Sequence, residues 1–432
     1  MIINSNSVAD HNQKRESRHR KKLDHLSAVL TEEGHAVQPL LKKIQAFQVA
    51  IPSWALGTGG TRFGRFAGGG EPRRLEEKME DVGLLHALNR SSGAISLHIP
   101  WDLPPDPIKI RFLANSFGLQ FDAVNSNTFQ DQADQELSYK FGSLAHTDAR
   151  VRQQAIAHHA EVIRLGVELG SKSLTVWLAD GSCFPGQQHF RRAFERTLAS
   201  LREVYGCLPA DWRMFVEYKP YEPNFYSTVV GDWGSSLLLC QKLGEQAYSL
   251  VDLGHHLPNT NVEQIVSRLM MEGKLGGFHF NDSKYGDDDL TVGSVRPYQL
   301  FLVFNELVDG LSPDSARDEK AKPPQLAWMI DASHNVKDPL EDLLQSVEAI
   351  KIAYAQALLV DRKALEAAQE TNDAARAQEI LQHAFRTDVR PLLAETRLRA
   401  GAALDPLGFY REDRVRETLI KERGTKTVTT GL

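Results

Sequence analysis

The sequence predicts an α/β protein folded as a closed (β/α)8 barrel of the TIM type, with an N-terminal helical arm and a C-terminal α-helical extension. Three observations lead there. Eight short apolar segments rich in strand-forming residues recur along the chain. The stretches between them carry the apolar spacing of amphipathic helices, as expected when crossover helices join parallel strands. Each apolar segment also ends in polar, charged or aromatic side chains, and a barrel gathers the C-terminal ends of its strands at one mouth. An open doubly wound sheet, the alternative architecture, gives no reason for every strand to end that way.

Taken in order, residues 1–45 are charged and helix-prone, with Leu23, Leu26, Leu30, Val37, Leu40 and Leu41 forming a broken apolar stripe, and read as the arm. Strands are expected at 47–56, 94–101, 121–129, 173–180, 213–220, 248–256, 276–284 and 326–335. Helical spacing marks 73–88, 148–169, 190–205, 262–272 and 297–308, and 339–359 reads as the last barrel helix, so the catalytic barrel spans 46–360. The extension, 361–422, contains helical patterns at 363–368, 373–398 and 412–422, and 423–432 has the composition of a disordered tail. The glycine-rich stretch 57–70 lacks both the GK[ST] ending and the GxGxxG spacing of phosphate loops. It reads as a mobile loop able to close over the mouth, with Phe63 and Phe66 as apolar tips.

Composition narrows the function. Lys plus Arg of 50 against Asp plus Glu of 56 gives a formal charge of -6, which argues against nucleic acid or an anionic membrane as partner. No apolar run approaches the roughly 18–20 residues that span a bilayer, and the basic N-terminus lacks the apolar core of a secretory signal. Cys183, Cys207 and Cys240 have no metal-type spacing, so reduced thiols and a cytoplasmic location are expected.

Chemistry concentrates at the strand ends. Glu217 follows the fifth strand, Asp252 and His255 the sixth, His279, Asp287 and Asp289 the seventh, and Asp331 the eighth. Taken singly, each has an ordinary explanation as a salt bridge, a cap or a core histidine. As a set in one mouth, the carboxylates repel one another unless cations neutralise them. Oxygen-rich ligation with imidazole and no thiolate favours Mn2+, Mg2+ or Co2+ over structural zinc. Period-2 alternation places His279 and Asn281 on one face, with Phe278, Phe280 and Asp282 on the other. In Asp252-Leu253-Gly254-His255 the glycine is expected to permit a tight turn, letting Asp252 bridge two metals while His255 binds one. Lys219 shares a face with Glu217. His98, Trp101, Phe129 and Trp177 form a candidate aromatic wall, suited to the apolar faces of a sugar.

The runs SWALGTGGTRFGRF, SLHIPWD, NSNTF, LTVWLADGS, VDLGHHLPNTN, GGFHFNDSKYGDDDL and MIDASHN resemble L-rhamnose isomerases, specifically the bacterial subtype with broad aldose specificity, within the xylose-isomerase-like barrel superfamily. The resemblance implies two divalent cations per subunit, Mn2+ foremost, with Co2+, Mg2+ or Zn2+ as alternatives. It implies a structural metal on Glu217, Asp252, His279 and Asp331, and a catalytic metal on His255, Asp287 and Asp289. Lys219 is implied near the substrate's carbonyl end and His98 near the ring oxygen, with Trp54, Phe63, Trp101, Phe129, Trp177 and Ser333 also against substrate. Lys219, Asp331 and His98 are the implied catalytic residues, and a homotetramer the implied assembly. The chain departs from the family pattern at Tyr218, where the pattern has histidine, and at Pro220. The expected reaction interconverts L-rhamnose and L-rhamnulose, with D-allose/D-psicose and other aldoses as further substrates. A metal-dependent epimerase or phosphodiesterase on the same barrel, and a sugar-binding protein without turnover, stand as alternatives.

Overall fold

The computed structural model describes residues 3–57, 66, 68–133, 135–222, 225–312, 325–332 and 336–426. Its strands β1 (Ala50–Pro52), β2 (Ala94–Ile99), β3 (Gln120–Ser126), β4 (Ser173–Trp177), β5 (Arg213–Glu217), β6 (Ala247–Asp252), β7 (Leu275–Phe280) and β8 (Ala327–Ile330) close into a barrel. Each strand pairs in parallel with the next in the chain, and β8 pairs with β1. The strands are buried on both faces, hence their near-continuous apolar character. On β7, Phe278 and Phe280 face outward and stack with Trp328 of β8. Gly277 sits at φ 150°, and a Cβ there would lie 2.2 Å from the Ala327 carbonyl oxygen, so β7 and β8 meet only because that residue is glycine.

Helices α1 (Ser5–Glu32) and α2 (Val37–Ala46) precede the barrel. One helix then follows every strand: α3 (Leu75–Asn89), α4 (Pro107–Ser116), α5 (Ala149–Leu169), α6 (Phe190–Tyr205), α7 (Trp233–Leu243), α8 (Val262–Met271), α9 (Pro297–Gly310) and α10 (Pro339–Ala357). The helices α4 and α7, absent from the sequence expectation, are short and begin at Asp106 and Asp232, whose carboxylates accept first-turn N–H groups. Such caps contribute about 1 kcal/mol each. Beyond the barrel lie α11 (Arg362–Glu370), α12 (Ala374–Arg386), α13 (Arg390–Arg399), α14 (Pro406–Glu412) and α15 (Val415–Arg423). No single helix among the described residues is long and apolar enough to cross a membrane. All three cysteines are free thiols.

Several expected boundaries need correction. The first strand ends at Pro52, and Ser53–Leu56 forms a 3-10 turn, so Ser53 and Trp54 stand on that turn. The fourth strand stops at Trp177; Asp180 lies in the following loop, where it accepts from Ser143 N, Ser143 Oγ and Ala145 N and serves to hold that loop. The single helix expected at 373–398 is two, because Thr387 is extended and Pro391 opens α13. The last helix begins at Val415, after Arg414 in the left-handed region. The tail expected from 423 begins with a fixed residue: Arg423 is buried and donates to Gly70 O at 3.1 Å and Asp81 Oδ2 at 2.8 Å. The remainder of that tail from 427 onward lies outside the described residues, as does most of the glycine-rich loop, including Phe63. Phe66 is described and exposed.

Candidate active site

At the C-terminal rim the chain buries charge instead of hydrocarbon. Glu217 ends β5, Asp252 ends β6, His279 is the penultimate residue of β7 and Asp331 follows β8. A register shift between Ser249 and Leu250 sets Asp252 directly beside His279. One ligand-type atom from each of Glu217, Asp252, His279 and Asp331 lies within 4.8 Å of all the others. His279 Nδ1 is 3.1 Å from Glu217 Oε1, 3.8 Å from Asp331 Oδ2 and 4.0 Å from Asp252 Oδ2. Asp252, His255 and Asp287 form a second group of the same tightness, so Asp252 is common to both. His255 Nδ1 lies 3.1 Å from the Tyr218 carbonyl oxygen, which leaves Nε2 facing Asp287 Oδ1 at 3.2 Å.

The loops that deliver these groups have local reasons for their shape. The tight turn expected at Gly254 is present, with His255 N donating to Asp252 O at 3.2 Å, and it forms without a left-handed residue. A Cβ there would meet Asn281 Oδ1 at 3.0 Å and Asp287 Cα at 3.2 Å, because the loop after β7 lies against it, with Asp287 N donating to Gly254 O. Close approach is therefore what the glycine permits. In the Asp287-Asp288-Asp289 run the first and third residues adopt φ near 50°, which aspartate tolerates, and both are buried. Asp288 instead accepts from Lys284 N at 2.6 Å and Tyr285 N at 2.9 Å and staples the loop. Asp289 lines the same cavity without being a member of either tight group.

Electrostatics expose a shortage of positive charge. Burial, then Asp331 and Glu217, push the Asp252 carboxyl well above the usual carboxylate range. Burial opposes charge on His279, but Glu217, Asp331 and Asp252 outweigh it and lift the imidazole to about 9. Asp252 Oδ1 accepts from Gly254 N and Asn281 Nδ2, whereas its buried Oδ2 accepts no hydrogen bond among the described residues. A divalent cation would satisfy that oxygen and relieve the repulsion, and the carboxylate and imidazole donors suit one. The residues present could thus hold a metal ion.

Above them opens a cavity of about 530 Å³, within the range of small-molecule sites. Trp54, His98, Trp101, Phe129 and Trp177 line it, with His98 stacked on Trp101 at 4.3 Å. Trp54 Nε1 donates to Asp331 Oδ1 at 2.8 Å. Burial lowers His98 to about 3, which favours the neutral imidazole near pH 7. Its segment is fixed by Asp102, which accepts from His98 N at 2.9 Å and from Ser53 Oγ and pairs with buried Lys78. Lys219 Nζ stands 5.1 Å over the Trp177 ring, paired with Asp287 and with Glu222. Glu222 was invisible to strand-end reasoning, since it belongs to the loop after β5; its i, i+3 spacing from Lys219 was the available signal. Ser333 lies outside the described residues.

A charged, aromatic-walled cavity at the C-terminal rim of a (β/α)8 barrel defines the active site of a barrel enzyme. No family model matches the sequence. Whole-chain relatives do. The chain is 53% identical over 427 residues to a protein of Mesorhizobium japonicum named a probable sugar isomerase, covering 99% of this chain and 97% of that one. It is 54% identical over 394 residues to a probable sugar isomerase of Rhizobium meliloti, covering 91% and 90%. The chain belongs to this family of probable sugar isomerases. Among solved structures it is similar to an L-ribulose 3-epimerase, with a TM-score of 0.53 at 13% identity over 74% of this chain and 98% of that one, a likeness of fold.

Proposed function

We propose that this protein is a divalent-metal-dependent aldose–ketose isomerase that interconverts L-rhamnose and L-rhamnulose, with D-allose/D-psicose among further substrates, working in the cytoplasm as a homotetramer. The observation that carries the reading is the convergence of Glu217, Asp252, His279 and Asp331 within 4.8 Å, sharing Asp252 with the His255 and Asp287 group beneath an aromatic wall. Family membership supports sugar isomerisation, and the resemblance of the strand-end motifs supports the rhamnose type.

In this reading Glu217, Asp252, His279 and Asp331 would hold one cation, and His255, Asp287 and Asp252 would hold a second, with Asp289 lining the same cavity. Mn2+ is the ion we propose. When bound, such ions supply Lewis acidity towards the sugar's O1 and O2. The chain's own groups do the rest. Trp54, Trp101, Phe129 and Trp177 pack on the apolar C–H face of the sugar and exclude water. Lys219 Nζ donates to the carbonyl oxygen as negative charge develops on it. Neutral His98 accepts the anomeric hydroxyl proton and returns it to the ring oxygen as the bond from C1 to that oxygen breaks; the hydrogen on C2 then moves to C1 while Asp331 carries the O2 hydroxyl proton to O1.

The test is a panel of aldoses incubated with the purified protein, before and after chelation and with Mn2+ restored. Ketose formation from L-rhamnose that depends on Mn2+ supports the proposal. Turnover of no aldose, or turnover indifferent to chelation, contradicts it.

A further inference from the structure

Lys219 poses a problem that the proposed reaction creates. Its side chain is 3% exposed, its ammonium points into the cavity, and one of its partners is Asp287. Asp287 also belongs to the tight group with Asp252 and His255. A cation bound in that group would draw on the same carboxylate charge and would repel an ammonium at this range. The lysine therefore needs counter-charge that the cation does not share.

Glu222 supplies it. It pairs with Lys219 Nζ, its side chain is only 9% exposed, it lines the cavity, and it is a member of neither metal-type group. The chain segment between the two residues is held by its own anchors. Thr228 Oγ1 donates to Lys219 O at 2.7 Å, Lys219 N donates to Val230 O at 3.0 Å, and Phe225 N donates to Glu222 O at 3.0 Å. Through Thr228 and Val230 these bonds tie Lys219 to the end of the small antiparallel pair Gly181–Ser182 with Ser227–Thr228. The Glu222 carboxylate thus meets the same ammonium as Asp287 while staying outside both metal-type groups, and the Trp177 ring lies 5.1 Å from that Nζ.

We infer that Glu222 is the positioning residue of Lys219: it keeps the ammonium over Trp177 and directed at the substrate oxygen once cations occupy the rim. The inference rests on the metal-dependent reading above. It assigns Glu222 no contact with metal and no proton of its own to transfer.

The experiment compares full-length wild type, Glu222→Gln and Glu222→Asp, each titrated with Mn2+ by calorimetry, crystallised with Mn2+, and assayed on L-rhamnose. The expected Glu222→Gln protein binds Mn2+ within about threefold of wild type. Its Lys219 ammonium leaves the face of Trp177 in the Mn2+-loaded crystal, and kcat falls by about 10²-fold, the scale of a misplaced catalytic group, with KM changed much less. Glu222→Asp recovers part of kcat. A Mn2+-loaded Glu222→Gln crystal with Lys219 unmoved overturns the inference, as does a kcat within twofold of wild type. Loss of Mn2+ affinity in Glu222→Gln overturns it too, by making Glu222 part of the metal site. Failure of the wild type to bind Mn2+ is a different result: it removes the metal-dependent reading and, with it, the conflict that Glu222 resolves.

Discussion

Acidic side chains that face inward divide into those that hold structure and those left with an unsatisfied oxygen. Asp180 and Asp102 are the first kind, each accepting hydrogen bonds from a loop it fixes. Asp252 is the second, with one buried oxygen unsatisfied among the described residues. Replacing Asp287 by Asn should therefore abolish Mn2+-dependent turnover while the circular dichroism spectrum is retained; a variant with wild-type turnover would remove Asp287 from the metal site. Replacing Asp102 by Asn strips the partner from buried Lys78, and breaking a buried pair in this way costs about 3–5 kcal/mol. Urea unfolding should register that loss, and a change below about 1 kcal/mol would show the pair to be dispensable. At this scale the sequence was informative about residue type and silent about partner. Glu217, Asp252 and His279 could be placed at a mouth because each lies at or next to the C-terminal end of a strand. Glu222 could not, because it lies beyond the strand end, three residues after Lys219, and the packing of the loop after β7 against Gly254 is a contact with a distant segment.

Elements carry the acid response. His98 and His159 are buried, and burial lowers both imidazoles to about 3; His86 is lowered to about 4 by burial and by Arg90. Their folded pKa values lie below the unfolded value of about 6.5, so the stability they contribute is present above pH 6.5 and is lost as pH falls towards the folded values. Each such group costs about 1.4 kcal/mol per pH unit across that window. Chemical unfolding from pH 7 to pH 5 should show stability falling, and His159→Leu, on the buried face of α5, should make the slope shallower. An unaltered slope would mean that His159 is protonated in the fold. The strands were legible because apolar runs bounded by polar clusters are a strong signal. Boundaries were less so: the 3-10 turn after Pro52 and the break before Pro391 reflect missing backbone donors, which apolar spacing does not register. The short helices α4 and α7 leave little periodic signal, because their buried faces hold only Ile110 and Ala114, and Ser236, Leu239 and Cys240.

For the whole molecule, the closed ring of strands is what turns residues scattered from position 217 to position 331 into neighbours. Each alone has an ordinary reading, and only closure makes their charges incompatible without cations. The barrel also sets the cavity's asymmetry: acids from β5 to β8 on one side, and aromatic side chains at or after the ends of β1 to β4 on the other. That arrangement was legible from the sequence once eight alternations were counted, whereas the tightness of the groups required the register, including the shift at Ser249. The most direct measurement is the rate of L-rhamnulose formation from L-rhamnose by protein stripped of metal and then titrated with Mn2+. The account predicts loss of turnover on stripping and full recovery as two ions bind per chain; undiminished turnover in the stripped protein would contradict it.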